Sequence, residues 1–311
     1  MKSGLPVLRV NAASIEFQNP ILLAAGTAAY GRELSGVMQL DRVGGLVTKA
    51  VSPEPRDGAQ APRVAEFSGG MINAVGLANP GLEAVKREDL PWLESNIHSA
   101  RVIVNVVGSQ IEDFATVVET LDDVRVVDAF ELNVSCPNVS AGGMEFGADM
   151  TTLSGLIARA RAATRKPLFV KLSPTLPSIA DTARAAVFAG ADGITLVNTI
   201  PGMVVDIETR TPALGFGSGG VSGVGLLPVG VLAVWKVSRA VNVPLIGVGG
   251  VTCGTDAVQY LMAGASLVAI GTAALRDPRA PERVVSELAG WCNAHGVSSV
   301  TEIVGSLEWS L

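Results

Sequence analysis

Eight short apolar segments of strand length recur along this chain of 311 residues, and they constrain its fold more than any other feature. They are rich in β-branched residues, and their hydrophobicity is continuous instead of alternating, which is typical of parallel strands buried on both faces. The sequence therefore predicts a parallel sheet covered by helices. The predicted strands are residues 21–25, 46–50, 102–107, 129–133, 168–172, 194–198, 245–248 and 267–270.

Helical patterns lie between these segments. Residues 151–164 place Leu153, Leu156 and Ile157 on one face, and residues 178–188 and 255–262 behave similarly. Eight alternating strand and helix units predict an α/β fold of the (β/α)8 TIM barrel type. Because no linker interrupts them, we expect residues 1–311 to form one domain with long loops at the carboxyl-terminal face.

An internal repeat supports this interpretation. Residues 188–194 (FAGADGI) and 262–268 (MAGASLV) each join the end of a helix to the next strand. Each segment contains a glycine, Gly190 or Gly264, at the position where the helix can end. The separation of 74 residues is about two β/α units of a barrel.

Composition excludes several classes of protein. The chain is 48% apolar and 17% charged, so it can bury a large core. No apolar run approaches the roughly 18 residues of a membrane span, and residues 1–13 do not resemble an export signal, so we expect a cytoplasmic protein. A net charge of −6 without basic clusters disfavours nucleic acid and anionic membranes as partners and favours a small molecule.

The three cysteines, Cys136, Cys253 and Cys292, are few and widely spaced. Neither a disulfide framework nor a four-thiolate metal site within the chain is expected, and we predict no metal site. Cys253 and Cys292 lie in or beside helical segments and are interpreted as structural.

Polar residues at the ends of the predicted strands are the candidates for chemistry, because catalytic groups of a barrel lie at the carboxyl ends of its strands. Two lysines and three amides could meet there, and amides suit a flat heterocycle such as a pyrimidine or a flavin. Any single Asn could equally satisfy backbone groups at the rim of the barrel. The five residues are Lys49, Asn105, Asn133, Lys171 and Asn198.

Glycines follow the last two predicted strands, at Gly249 and Gly250 and again at Gly271 before Thr272. These loops commonly hold phosphate in this fold, although glycine could also relieve crowding there. The G-x-G-x-x-G pattern of residues 215–220 follows no strand and is rejected as a dinucleotide motif. The long segments 52–81 and 199–226 are expected as loops that build the ligand side.

Cys136 follows the fourth predicted strand and precedes a glycine-rich segment that could close as a lid. The thiol could be a buried small side chain, a nucleophile or a base. Neither His98 nor His295 is expected near it to activate a nucleophile, so a role as a base stays open.

Together these segments resemble the class 1 dihydroorotate dehydrogenases. The resemblance runs from about Leu8 to Leu275 and implies an FMN-binding (β/α)8 barrel that oxidises dihydroorotate to orotate in pyrimidine synthesis. The motifs that carry it are ELNVSCPNV (131–139), INAVGLANPG (72–81), VNT (197–199), GVSG (220–223), Gly249 with Gly250, and Gly271 with Thr272.

The resemblance also implies roles for individual residues. Cys136 resembles the base that removes a proton from C5 of dihydroorotate, and Lys171 resembles the lysine beside the pyrimidine end of FMN. The implied substrate-binding residues are Lys49, Asn73, Gly76, Leu77, Asn133, Asn138, Asn198 and Thr199. The implied FMN-binding residues are Ala25, Gly26, Lys49, Asn105, Asn133, Lys171, Ser222, Gly223, Gly249, Gly250, Gly271 and Thr272.

The lid segment, residues 140–147 (SAGGMEFG), resembles that of subfamily 1B. This likeness implies a homodimer that joins an electron-transfer subunit carrying FAD and a two-iron (2Fe-2S) cluster, as a heterotetramer that passes electrons to NAD. Ala28 and Ala29 replace an expected aromatic residue, and Ala78 replaces the usual glutamine. The expected absence of a membrane helix and the cysteine at position 136 disfavour the quinone-linked class 2.

Other interpretations stay open at this stage. A fumarate-dependent class 1A enzyme or a flavin barrel that modifies tRNA would use the same cofactor, but an acidic chain disfavours tRNA. A barrel aldolase would use Lys171 as a Schiff-base lysine and would be colourless. A catalytically silent barrel would hold flavin that dihydroorotate does not bleach.

Overall fold

The computed structural model describes residues 6–135, 137–138 and 144–309. The strands in these residues are short and occur along the whole chain. They are β1 (Val10–Ala12), β2 (Ile15–Phe17), β3 (Ile21–Leu23), β4 (Gly45–Val47), β5 (Val64–Phe67), β6 (Gly70–Asn73), β7 (Arg101–Val106), β8 (Ala129–Asn133), β9 (Pro137–Asn138), β10 (Met144–Glu145), β11 (Leu168–Leu172), β12 (Gly193–Leu196), β13 (Ile200–Gly202), β14 (Val205–Asp206), β15 (Thr211–Pro212), β16 (Gly219–Ser222), β17 (Leu245–Val248) and β18 (Leu267–Ile270).

Helices occupy most of the connections between the longer strands. They are α1 (Leu82–Ala84), α2 (Leu90–Asn96), α3 (Ile111–Leu121), α4 (Met150–Ala162), α5 (Ile179–Phe188), α6 (Leu227–Ser238), α7 (Gly254–Ala263), α8 (Thr272–Arg276) and α9 (Ala280–Ala294). In the part of the chain that the structure describes, none of them has the length and hydropathy to cross a membrane.

Eight parallel strands close into a barrel in the order β3, β4, β7, β8, β11, β12, β17, β18 and back to β3. The (β/α)8 fold predicted from the sequence is thus confirmed, and each barrel strand falls within or beside one predicted segment. Several boundaries differ: β3 ends at Leu23, β4 at Val47 and β12 at Leu196, so Ala25, Lys49 and Asn198 lie in the loops beyond their strands.

The core lies between the barrel and its helices. Every residue of β11, β12, β17 and β18 is buried, as continuous apolar strands require. Leu153, Leu156 and Ile157 form the buried face of α4, which confirms the predicted helical face. Each such side chain stabilises the fold by about 1.5–3 kcal/mol on burial.

The two glycine stops behave as their sequence context predicts. Gly190 follows α5 with φ of +113°, and Gly264 ends α7 with φ of +116°. Residues with a Cβ are strained in this left-handed region, so glycine lets each helix turn directly into the next barrel strand.

The two long segments expected as loops contain a small sheet. Strands β13, β16, β6 and β5 pair antiparallel in that order, with Gly220 opposite Asn73. These strands are polar and rich in glycine, so they contain no continuous apolar run by which the sequence would reveal them. The sheet forms a wall above the carboxyl ends of the barrel strands.

Candidate active site

A cleft of about 1030 Å³ opens beside the carboxyl ends of the barrel strands. Pockets that hold one drug-sized ligand measure roughly 300–1,000 Å³, so this cleft lies at the upper end of that range. Its wall includes every predicted site residue whose side chain the structure describes. These residues are Ala25, Gly26, Lys49, Asn73, Gly76, Leu77, Asn105, Asn133, Lys171, Asn198, Thr199, Ser222, Gly223, Gly249, Gly250, Gly271 and Thr272.

Two lysines give the cleft a positive interior. Lys171 lies on β11 and is only 8% exposed. Strand β11 pairs with β8, and in this register Lys171 lies opposite Asn133. Lys49 is held by its backbone N–H, which donates to the carbonyl of Ala29 at 2.7 Å. In the described residues neither ammonium forms an ion pair. Unpaired cations in a partly buried cleft favour an anionic ligand.

Amide side chains line the region around Lys171. The Nδ2 of Asn198 donates to Oδ1 of Asn133 at 3.3 Å, and the Oδ1 of Asn198 accepts the N–H of Thr199 at 2.8 Å. These contacts fix the two amide planes relative to the barrel. Fixed amides offer donors and acceptors to a planar ligand without further loss of side-chain freedom.

The small sheet contributes the opposite wall. Asn73 ends β6, and its Nδ2 donates to the carbonyl of Gly220 on β16 at 3.3 Å. Gly76 and Leu77 follow with φ of +71° and +58°. A leucine in the left-handed region is strained, and such strain is found where a backbone group must face a ligand.

The glycine loops after β17 and β18 form the other end of the cleft. Gly249 and Gly250 have φ of +124° and +75°, and a Cβ on Gly250 would lie 2.5 Å from the backbone nitrogen of Leu227. Among the described residues, no acceptor pairs with the N–H of Gly250 or Thr272. Free amides of this kind, beside a helix start, bind phosphate.

Side chains from both walls meet at these loops. The Oγ1 of Thr272 donates to Oγ of Ser222 at 2.8 Å, which ties α8 to strand β16. Below them, the hydroxyl of Tyr260, whose side chain is fully buried, donates to the carbonyl of Gly249 at 2.8 Å. The glycine loops therefore rest on the core of the protein.

Three residues of the site were not singled out for a role from the sequence. Glu131 is buried between Asn105 and Thr195, Ser135 has a buried hydroxyl without a partner in the described residues, and Glu145 of β10 lines the cleft. Burial raises the pKa of Glu145 above its usual range. Glu131 stands in the same apolar run as Asn133, two residues earlier, and this spacing is the signal that could have placed it inside the barrel.

The remaining chemical candidates are Cys136 and Asn138, two histidines and two further cysteines. Cys136 is outside the described residues, and Asn138 lies on strand β9. His98 and His295 do not line the cleft, Cys292 is buried in α9, and Cys253 begins α7. Within the described ranges no three His, Cys, Asp or Glu side chains cluster as metal ligands.

Comparison with known proteins gives a consistent result. The model of the family dihydroorotate dehydrogenase matches residues 7–291. The chain is 44% identical to a protein of Pelobacter propionicus over 97% of this chain and 99% of the relative. It is 43% identical to a protein of Alkaliphilus metalliredigens, covering 96% and 98%, and 40% identical to one of Geotalea uraniireducens, covering 98% and 99%. All three relatives are named dihydroorotate dehydrogenase B (NAD(+)), catalytic subunit.

Proposed function

This chain belongs to the dihydroorotate dehydrogenase family, and on that premise we propose that it oxidises dihydroorotate to orotate in pyrimidine biosynthesis and delivers the electrons to NAD through a partner subunit. The observation that carries the proposal is the cleft, which joins free backbone amides at one end to lysine and amide side chains at the other. This arrangement suits a phosphorylated flat cofactor beside a small anionic ring.

FMN fits the donors that the cleft offers. The free N–H groups at Gly250 and Thr272 would hold its phosphate, and a Cβ on Gly26 would meet no protein atom within 4 Å, so the wall leaves room for a ligand there. We propose one FMN per chain. The residues that would hold it are Ala25, Gly26, Lys49, Asn105, Asn133, Lys171, Ser222, Gly223, Gly249, Gly250, Gly271 and Thr272.

The amide end of the cleft would bind dihydroorotate. Its imide and carboxylate need donors and acceptors in one plane, which fixed asparagines and backbone N–H groups provide. The proposed substrate-binding residues are Lys49, Asn73, Gly76, Leu77, Asn133, Asn138, Asn198 and Thr199.

Oxidation to orotate removes a proton from C5 and a hydride from C6. Bound FMN supplies the acceptor for the hydride. We propose that Cys136 takes the proton: a thiol, with an ordinary pKa near 8.5, matches a weakly acidic C–H better at neutral pH than a carboxylate does. Lys171, held almost buried on β11, would stabilise negative charge that develops at the edge of the ring facing it.

The partner subunit is proposed from the same relationship. The names of the relatives specify NAD(+) and a catalytic subunit, which implies a further subunit for electron transfer. We propose that the partner holds FAD and a 2Fe-2S cluster, and that two copies of each chain form a heterotetramer in the cytoplasm.

The test compares electron acceptors. The purified chain should be yellow and contain FMN at about one equivalent, and it should reduce NAD with dihydroorotate only when the partner is co-expressed. Rapid reduction of fumarate by the isolated chain, with no gain from a partner, would contradict the NAD-linked assignment. Loss of all flavin on gentle purification would contradict the cofactor assignment.

A further inference from the structure

Glu131 is a fully buried carboxylate that lies within the barrel. Glu131 and Asn133 are two residues apart on β8, so their side chains lie on the same face of the strand. Asn133 lines the cleft. Glu131 is 1% exposed. It therefore lies one layer below the floor of the cleft.

Two donors satisfy this carboxylate. The Nδ2 of Asn105 donates to its Oε1 at 2.8 Å, and the Oγ1 of Thr195 donates to its Oε2 at 2.8 Å. Asn105 comes from the neighbouring strand β7, and Thr195 comes from β12 on the other side of β11. A buried carboxylate costs stability unless it is fully hydrogen-bonded, and this one accepts at both oxygens.

The contact decides which way the amide of Asn105 faces. The backbone of Asn105 is fixed, since its N–H donates to Oγ1 of Thr48 at 3.2 Å and its carbonyl accepts from Val51 at 2.9 Å. Only the amide can turn. A carboxylate offers acceptors alone, so the NH₂ group of Asn105 must face Glu131 and its Oδ1 must face away.

The oxygen of Asn105 accepts from no residue in the described part of the chain, and Asn105 lines the cleft. We propose that Glu131 is a positioning residue that holds this oxygen towards the cleft, so that the site selects a ring with an N–H donor at that point. The inference rests on the proposed function, in which the ring is the flavin of FMN. Oxidised flavin has one ring N–H, at N3.

The test measures binding of FMN and of N3-methyl FMN to the apoprotein by quenching of flavin fluorescence. Wild type should bind FMN about tenfold more tightly, because the methylated ring leaves a buried acceptor unpaired. Glu131→Met, which removes the acceptor and frees the amide to turn, should reduce this preference to about twofold or less. Thr195→Val is the matched control: it removes the other donor and should keep the full preference.

An exchange variant keeps the test decisive if Glu131→Met does not fold. The double variant combines Asn105→Asp with Glu131→Gln, so that the carboxylate and the amide change places. The new amide can donate to the new carboxylate and accept from Thr195, while a carboxylate oxygen still faces the cleft. The preference for FMN over N3-methyl FMN should survive this exchange. Its loss in the exchange variant, or its full retention in a folded Glu131→Met, would overturn the proposal.

The outcomes separate this proposal from the proposed function. A wild-type chain that binds neither flavin contradicts the cofactor assignment. A wild-type chain that binds both equally keeps FMN but contradicts the orientation of Asn105. Glu131→Met could also lose tight orotate binding while its preference for FMN over N3-methyl FMN is unchanged. This result would show that the oxygen of Asn105 faces the substrate and not the cofactor, and it would overturn the proposal.

Discussion

The two ends of the cleft are built in different ways. The end formed by Gly249, Gly250 and Thr272 presents backbone N–H groups and rests on the buried ring of Tyr260. The opposite end presents side chains: Asn73 from the small sheet, Asn133 from barrel strand β8 and Asn198 from the loop after β12. Backbone groups on a packed core are pre-organised, whereas side chains on long connections can be changed without disturbing the core.

This difference suggests that the two ends of the cleft have different functions. The backbone end suits a permanently bound phosphate, which any sequence with the right glycines can hold. The side-chain end suits a substrate that must be chosen, turned over and released. Variants at the two ends should therefore separate cofactor retention from turnover.

The largest expected effect belongs to the proposed base. Cys136→Ser should keep FMN and bind orotate, but lose about 10²–10⁴-fold in turnover near neutral pH, because a hydroxyl is rarely ionised to act as a base. Activity should recover partly as pH rises. Flavin content and steady-state rates from pH 6 to 10 provide the measurement. Wild-type turnover at pH 7 would show that another group is the base.

At the phosphate end, a negative charge should weaken binding of the cofactor. Thr272→Glu places a carboxylate at the first residue of α8, where the helix dipole tolerates it. Like charges about 4 Å apart repel by about 4 kcal/mol at an effective dielectric of about 20, so FMN affinity should fall by about 10³-fold. Thr272→Gln has the same size without the charge and should lose far less. Equal losses in the two variants would assign the effect to size.

A smaller effect is expected from the carboxylate of Glu145, which lines the cleft. Burial raises its pKa, so lowering the pH protonates it while orotate stays anionic. Wild-type affinity for orotate should therefore increase as pH falls through this raised pKa. Glu145→Gln should bind orotate about two- to fivefold more tightly at neutral pH and should lose the pH dependence. Calorimetric titration at several pH values would measure this, and a pH dependence that persists in the variant would contradict it.

The smallest effect concerns the support of the glycine loop. Tyr260→Phe removes the hydrogen bond to Gly249 and should cost about 1 kcal/mol of stability, together with a two- to fivefold loss of FMN affinity. Thr182→Val is the control, since the buried Oγ1 of Thr182 on α5 donates to the carbonyl of Ser178 at 3.0 Å, away from the cleft. This control should lower the stability of the protein and leave its FMN affinity unchanged. Equal FMN affinities in the two variants would show that the loop does not depend on Tyr260.

Sequence reasoning predicts the barrel well, because continuous apolar strands and glycine stops such as Gly190 and Gly264 are local signals. It also places Lys171 and Asn133 together, since strand ends of a barrel meet at one face. It fails for the small sheet, whose glycine-rich strand β16 pairs with β6, about 150 residues earlier in the chain. It also misses the role of Glu131: the spacing from Asn133 could place this residue inside the barrel, but its donors, Asn105 and Thr195, lie on other strands.

The most direct test of the account is an anaerobic titration of the isolated, flavin-loaded chain with dihydroorotate, followed by visible absorption. The account predicts that the flavin band is bleached at about one equivalent of dihydroorotate, that orotate is formed in equal amount, and that NAD does not restore the band until the partner subunit is added. A flavin band unchanged by excess dihydroorotate would contradict the account.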